Sequence, residues 1–288
     1  MRHHRPAPHT TPRAASRRAA LFAAATAVAL LATACSGGEP DDGGKSPGGV
    51  RLPPAHAGFD YQIGGPYTPP DGVRIVARDH GVAPARGLYN ICYVNAFQAQ
   101  PGAEDEWDKD LLLTDRSGRI AMDKDWNEAI LDISTPAKRA RIAKKVGGWI
   151  DDCAAKGYDA VEPDNYDSYA RAPKGRLTPE HAKEFLKALA AHAHAKGLAI
   201  GQKNTPELAP DRKRVGLDFA VAEECGTYDE CDDYVEAFGS RVLAIEYTEK
   251  GLRAACEGWD DEISVVRRDL NVVPKGKAGY VYRTCDDV

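Results

Sequence analysis

Two short segments of the chain gather carboxylates in a way that suits proton transfer and nucleophilic attack. They are Val161-Glu162-Pro163-Asp164-Asn165 and Ala222-Glu223-Glu224-Cys225. Side chains alternate along an extended strand, so Glu162 and Asp164 share one face while Val161 and Pro163 take the other. Two carboxylates one residue apart repel, which favours a proton on one of them, the form a general acid needs. One acid paired with one nucleophile or base is what hydrolysis of an acetal bond requires. Pro163 has no N–H for a ladder and marks a strand end or a local irregularity. Other chemistries lack their motifs: there is no GxSxG, P-loop or HExxH, and the cysteines lack the spacing of a zinc site. Residues 123–128 begin like a calcium loop, but Glu128 stands where that loop needs glycine and Ser134 where it needs its closing Glu. No metal and no cofactor is expected.

Carboxylates sixty residues apart meet only if the fold brings strand ends together. Short apolar, β-branched runs recur at 59–63, 73–77, 88–94, 130–133, 160–161, 198–200, 219–221 and 242–245, with a possible ninth at 263–266. Ser134-Thr135-Pro136 and Thr178-Pro179 supply helix starts, and Gly157 and Gly197 supply the stops. Between them Ile142, Val146 and Ile150, then Phe185, Leu186, Leu189 and Ala193, recur at helical spacing. Strands alternating with helices imply a parallel sheet. No glycine-rich nucleotide loop follows any run, which disfavours an open doubly wound sheet. The expected fold is α/β: a single (β/α)8 TIM-type barrel over 58–288.

A barrel puts reactive side chains at the C-terminal ends of its strands. Those ends carry Asp60 and Gln62; Arg78 and Asp79; Tyr93 and Asn95; Asp132; Glu162, Asp164 and Asn165; Lys203 and Asn204; Glu223 and Glu224; and Glu246 and Tyr247. If Phe219 and Val221 face the helices, alternation turns Glu224 inward and Glu223 outward.

The first 34 residues are set apart. They hold five Arg and no acid, then an apolar run and Ala34-Cys35, the layout of a signal peptide of lipoprotein type with Cys35 acylated. Ser16-Arg17-Arg18 also resembles a twin-arginine signal. The segment 35–57, rich in Gly, Pro and Asp, is expected to be a flexible tether to the membrane. This implies export to the extracytoplasmic face, with plain secretion as the alternative. Without the leader, 33 Lys and Arg stand against 43 Asp and Glu, about −10, which argues against a nucleic-acid partner. Six cysteines remain after Cys35, enough for three disulfides in an oxidising compartment, with Cys225 and Cys231 the natural local pair.

The stretches 157–169 (GYDAVEPDNYDSY), 197–204 (GLAIGQKN) and 221–225 (VAEEC), followed by Tyr228, Cys231 and Glu246-Tyr247, resemble glycoside hydrolase family 114 in content and order. That family has a (β/α)8 fold and includes endo-α-1,4-polygalactosaminidases. The resemblance implies Asp164 and Glu223 as the catalytic pair and places Glu162, Asn165, Lys203, Asn204 and Glu246 around the site, with Glu224 in reserve. Asp60, Tyr93 and Tyr247 join them as substrate-binding candidates. The implied partner is a polysaccharide, and an acidic site face favours a cationic amino-sugar polymer. Where the family commonly has Asn-Glu-Gln-Cys, this chain has Ala222-Glu223-Glu224-Cys225, a polar neighbour lost and a charge gained at the site. Alternatives are a lipid-anchored carbohydrate-binding barrel without turnover, or a glycosidase for a different exopolysaccharide.

Overall fold

The structure is a computed structural model that describes residues 49–288. The expected signal peptide at 1–34, the acylation site Cys35 and the tether as far as residue 48 lie outside the described residues. The chain runs through β1 (Gly58–Tyr61), β2 (Val73–Asp79) and β3 (Tyr89–Asn95). A small antiparallel sheet of β4 (Gln98–Ala99), β5 (Met122–Asp123) and β6 (Glu128–Ile130) then interrupts the alternation. It resumes with β7 (Ala160–Asp164), β8 (Ala199–Lys203), β9 (Phe219–Glu223), β10 (Val242–Glu246), β11 (Ser264–Arg268) and a short β12 (Tyr282–Arg283). Eight strands, β1-β2-β3-β7-β8-β9-β10-β11, are parallel to their neighbours, and β12 adds antiparallel to β11. The sheet curls until β1 meets β11, where the Ala57 N–H donates to Ser264 Oγ at 3.0 Å. This is a nearly closed TIM-type barrel.

One expected strand is misplaced. The run 130–133 is no barrel strand: its first residue ends β6, and Ile130 pairs with Gln98 in the side sheet. The eighth barrel strand is instead β11, the run held as a possible ninth. A β-branched apolar run buries equally well in either setting, so periodicity alone does not separate them. Asp132 leaves the list of site residues with it. It accepts from the Ser134 N–H at 3.1 Å and binds Lys138 Nζ at 2.6 Å, securing the entry to the next helix.

The helices begin where the sequence signals them. Thr135 Oγ1 accepts from the Lys138 N–H and caps α1 (Pro136–Lys156), and Gly157 ends it at φ 87°. Thr178 does the same for α3 (Pro179–Ala195), after the short α2 (Ser168–Arg171). The later helices are α4 (Arg212–Val215), α5 (Cys225–Tyr228), α6 (Cys231–Phe238) and α7 (Glu249–Trp259). Disulfides join Cys92 to Cys153, Cys225 to Cys231 and Cys256 to Cys285. The first ties β3 to α1, and the second closes the loop behind Glu223.

Two apolar layers follow from strand alternation. Val161, Ile200, Ala220, Ala222 and Ala244 pack outward against Ile142, Val146, Phe185 and Leu189 of the helices. Phe59, Tyr61, Ile75, Ile91, Phe219, Val221 and Ile245 fill the barrel itself. Gly201 is bare because a Cβ there would come within 2.7 Å of the Phe219 ring. Val50, Leu52 and Ala57 join this inner layer, so the packed domain starts by Val50 and not at Gly58. Apolar Val50 and Leu52 sit among prolines and glycines, and composition hid them.

Candidate active site

The inner layer turns polar at the C-terminal ends of the strands. There a cavity of about 330 Å³ opens, lined by Asp79, Tyr93, Glu128, Asp164, Asn165, Asp167, Arg171, Lys203, Asn204, Glu223 and Tyr247, with Trp126 and Leu270 at its edge. Val161 packs outward, so alternation carries Glu162 and Asp164 into the barrel as expected. Phe219 and Val221 also point into the barrel, which sends Glu223 into the mouth. The premise that they face the helices is therefore reversed, and with it the inward turn it gave Glu224. Glu224 sits beyond the end of β9 in the left-handed region at φ 59°, where strand alternation no longer applies. It does not line the cavity.

Lys203 is the centre of the site. Its Nζ lies 3.1 Å from Glu162 Oε1, 3.2 Å from Asp164 Oδ1 and 3.4 Å from Glu223 Oε2, and donates to Tyr61 Oη at 3.0 Å. The side chain is only 3% exposed. Burial alone would strip its proton, but Asp164, Glu223, Tyr61 and Glu162 outweigh burial and hold its pKa well above the usual range. Lys203 is thus an ammonium serving three carboxylates.

Each carboxylate has a different environment. Burial pulls Asp164 upward, yet Lys203, the Tyr93 hydroxyl at 2.6 Å and the Asn165 N–H at 2.8 Å hold it below its ordinary value. It is ionised at neutral pH. Glu223 is gripped from both sides: Asn204 Nδ2 donates to its Oε2 at 2.9 Å, its own N–H donates to Asn204 Oδ1 at 2.8 Å, and Tyr247 donates to its Oε1. Glu162 lies beneath, fully buried, and burial is the main reason its pKa rises to about 7. The residues that leave β7 and β8, Asn165 at φ 66° and Asn204 at φ 51°, take the left-handed turn that Asn tolerates best.

Besides Glu224 and the buried Glu162, two more of the expected site residues lie off the cavity. Asp60 faces away from the cavity and pairs with Arg268 at 3.2 Å, both fully buried, with Tyr67 and Gln62 also donating to it. Glu246 faces outward from β10, where it accepts from the Gly226 N–H at 2.7 Å and the Thr227 hydroxyl at 2.8 Å. It fastens α5 to the barrel. Trp126, a stacking candidate, and Asp167, part of the expected acidic face, do line the cavity, whereas Glu128 and Arg171 went unrecognised in the sequence. Arg171 pairs with Asp123 at 3.0 Å and Asp167 at 2.6 Å and donates to Asn165 Oδ1, and Glu128 accepts from Asn165 Nδ2. The acidic start of the failed calcium loop, 123–128, was the signal. Those residues build a wall of the cavity instead of a cation site.

The model of the glycoside-hydrolase family GH114 matches residues 43–288. The chain belongs to GH114. Among solved structures, similar folds recur at low identity. Ega3 of Aspergillus fumigatus, crystallised with galactosamine, is 23% identical with a TM-score of 0.66, over 81% of this chain and 98% of that one. The glycoside hydrolase domain of PelA from Pseudomonas aeruginosa is 16% identical with a TM-score of 0.55, over 77% and 97%. No curated protein matches the chain in sequence. As a GH114 member the chain is a glycoside hydrolase, and its departure at 222–224 takes on a new meaning. Ala222 packs in the outer layer and Glu224 lies off the cavity, so neither change alters the cavity wall.

Proposed function

We propose that this chain is an endo-acting hydrolase of α-1,4-linked galactosamine-containing polysaccharide, with Asp164 as nucleophile and Glu223 as acid–base. The observation that carries this reading is the Lys203 bridge between Asp164 and Glu223 across the cavity floor. Their nearest oxygens sit on one nitrogen at 3.2 and 3.4 Å, so they are at most roughly 6.6 Å apart. The ~5–5.5 Å spacing of retaining enzymes fits within that limit, while the ~6.5–9.5 Å of inverting ones barely meets it. Asp164, held ionised, attacks the anomeric carbon as the glycosidic C–O bond breaks. Glu223 gives its proton to the leaving oxygen, then takes one from the water that releases the sugar from Asp164.

The substrate follows from charge and shape. Asp79, Glu128, Asp164, Asp167 and Glu223 line the cavity against only Arg171 and Lys203, an excess of negative charge that attracts an amino sugar and repels a uronic acid. Trp126, 53% exposed on the turn between β5 and β6, offers an indole face for a sugar ring beyond the catalytic pair, as cleavage within a chain needs. Ega3 was crystallised with galactosamine, which agrees with this class. Reducing-end release from partly deacetylated α-1,4-galactosaminan, measured for wild type, Asp164→Asn and Glu223→Gln, tests the reading. Binding without any product from wild type would favour the carbohydrate-binding alternative.

The chain is exported and anchored on the extracytoplasmic face through acylated Cys35. The basic leader with its apolar run supports this, and so do three disulfides, which persist in oxidising compartments. Metabolic labelling with a fatty acid should mark the wild type and spare Cys35→Ser.

A further inference from the structure

Glu162 is the one carboxylate of the cluster with no path to substrate. It is fully buried below the cavity and is absent from its lining. Its Oε1 takes the Tyr61 hydroxyl at 2.9 Å and Lys203 at 3.1 Å, while its Oε2 has no hydrogen-bond partner among the described residues. Lys203 and Tyr61 are bonded in turn at 3.0 Å, so the three groups close a triangle beneath Asp164 and Glu223. A buried carboxylate with a free oxygen is costly unless it has a task or a proton.

We propose that Glu162 is a positioning residue that competes with Asp164 and Glu223 for the Lys203 ammonium and so sets the pH window of the catalytic pair. This rests on the assignment of that pair above. Lys203 has three N–H donors and four oxygens within reach: Tyr61 from β1, Glu162 and Asp164 from β7, and Glu223 from β9. Around them stand Tyr93 from β3, which bonds Asp164, and Tyr247 after β10, which bonds Glu223, with Asp79 of β2 at the mouth. On β11 the inward residue is apolar Val266, and Arg268 is turned to Asp60. Lys203 and Glu162 are therefore the only cation and the only carboxylate beneath the pair among the described residues.

The sign of the effect follows. An ionised Glu162 holds Lys203 down and adds negative charge below the catalytic pair, which disfavours a further negative charge there. A neutral Glu162 frees Lys203 to move up toward the pair, where its positive charge favours the ionised form of both carboxyls. Burial brings the titration of Glu162 to about 7, inside the range where the switch would operate.

The experiment is the pH profile of kcat/KM on partly deacetylated α-1,4-galactosaminan for wild type and Glu162→Gln. The amines of the substrate titrate identically in both, so the displacement between the curves is the readout. The expected result is an alkaline limb shifted to lower pH by roughly half a unit to one unit, with peak activity within about tenfold of wild type. Tyr61→Phe removes a donor from Glu162 without touching its charge, makes Glu162 hold its proton to higher pH, and should move the limb the same way by less. It carries the test if Glu162→Gln does not fold. A curve of Glu162→Gln superimposed on wild type, at whatever height, overturns the proposal. A folded Glu162→Gln inactive at every pH overturns it also, because Glu162 would then belong to the chemistry. Full turnover by Asp164→Asn and Glu223→Gln would remove the pair itself. Their loss of turnover with an unmoved Glu162→Gln profile removes this proposal alone.

Discussion

The barrel buries two clusters of charge at the ends of its strands, and they are built on opposite plans. Arg268 and Asp60 are matched one to one. Arg268 also donates to the Val281 and Val273 carbonyls at 2.8 and 2.9 Å, and its guanidinium lies 5.4 Å from the Tyr280 ring. Asp60 accepts from Tyr67 at 2.8 Å and Gln62 at 2.7 Å, so both oxygens are occupied. Lys203 instead faces three carboxylates, and one oxygen of Glu162 goes without. A balanced, saturated pair costs little to keep and does nothing else: it closes the β1–β11 seam and holds the C-terminal segment. An unbalanced cluster stays poised to change its protonation, which is what an acid–base site needs.

The comparison breaks most sharply through activity. Asp164→Asn and Glu223→Gln each remove a reacting group, and kcat should fall by about 10³-fold or more, some 4 kcal/mol of barrier. Circular dichroism should report both variants folded at 25 °C. Asp60→Asn or Arg268→Met should do the reverse. Stranding the other member of a buried pair costs about 3–5 kcal/mol of stability, read as a lower urea midpoint, while kcat per folded molecule stays near wild type. A large loss of kcat in Asp60→Asn at full stability would place Asp60 in the site after all.

The two clusters were not equally legible. Asp164 could be found because motif and alternation agree, Lys203 and Asn204 because the family motif carries them, and the helix starts at Thr135 and Thr178 because Pro follows a capping residue. Asp60 and Glu246 stand at strand ends just as Asp164 does, and a strand end alone does not say which way its last carboxylate points. That depends on partners more than a hundred residues away for Asp60, and on a turn after Cys225 for Glu246. In the wall built by Glu128, Asp167 and Arg171, two members were hidden for another reason. Glu128 comes from an insertion between β3 and α1 whose apolar run imitates a barrel strand, and Arg171 from the short α2 that follows β7.

Stability against pH separates the clusters more gently. The folded-state pKa of Glu162 is raised from 4.5 to about 7, so the unfolded chain releases that proton first as pH rises. Its contribution to stability is therefore intact below 4.5, is lost as pH rises to 7 and stays level above. Wild type should lose on the order of 1–3 kcal/mol across that window relative to Glu162→Gln, measured as urea midpoints at each pH. Asp167, raised to about 6 chiefly by burial, titrates with the same sign in both proteins and cancels in the difference. Equal slopes for wild type and Glu162→Gln would mean that the buried carboxylate titrates normally.

Trp126 tests the edge of the active cluster. Its exposure means little packing is lost in Trp126→Ala, so stability should hold. Loss of one stacking face is worth about 1 kcal/mol, a KM for polymer up by roughly fivefold at unchanged kcat. An equal loss on a short oligosaccharide would place the indole beside the scissile bond.

The smallest expected effect decides between neighbours. Glu223 and Glu224 are adjacent acids, and only the turn of the chain at Glu224 separates their fates. β9 ends at Glu223, and the Glu224 N–H then bonds the Ile245 carbonyl at 2.7 Å, with Glu224 in the left-handed region. That fixes the peptide while the carboxyl stays off the cavity. Burial and the nearby Glu223 charge raise its pKa. Glu224→Gln should therefore leave kcat within about threefold and KM for a cationic polymer raised by no more than a similar factor. If Glu224→Gln instead lost activity on the scale of Asp164→Asn while Glu223→Gln kept it, the inward face of β9 would be wrong, and the Lys203 bridge would join Asp164 to a bystander.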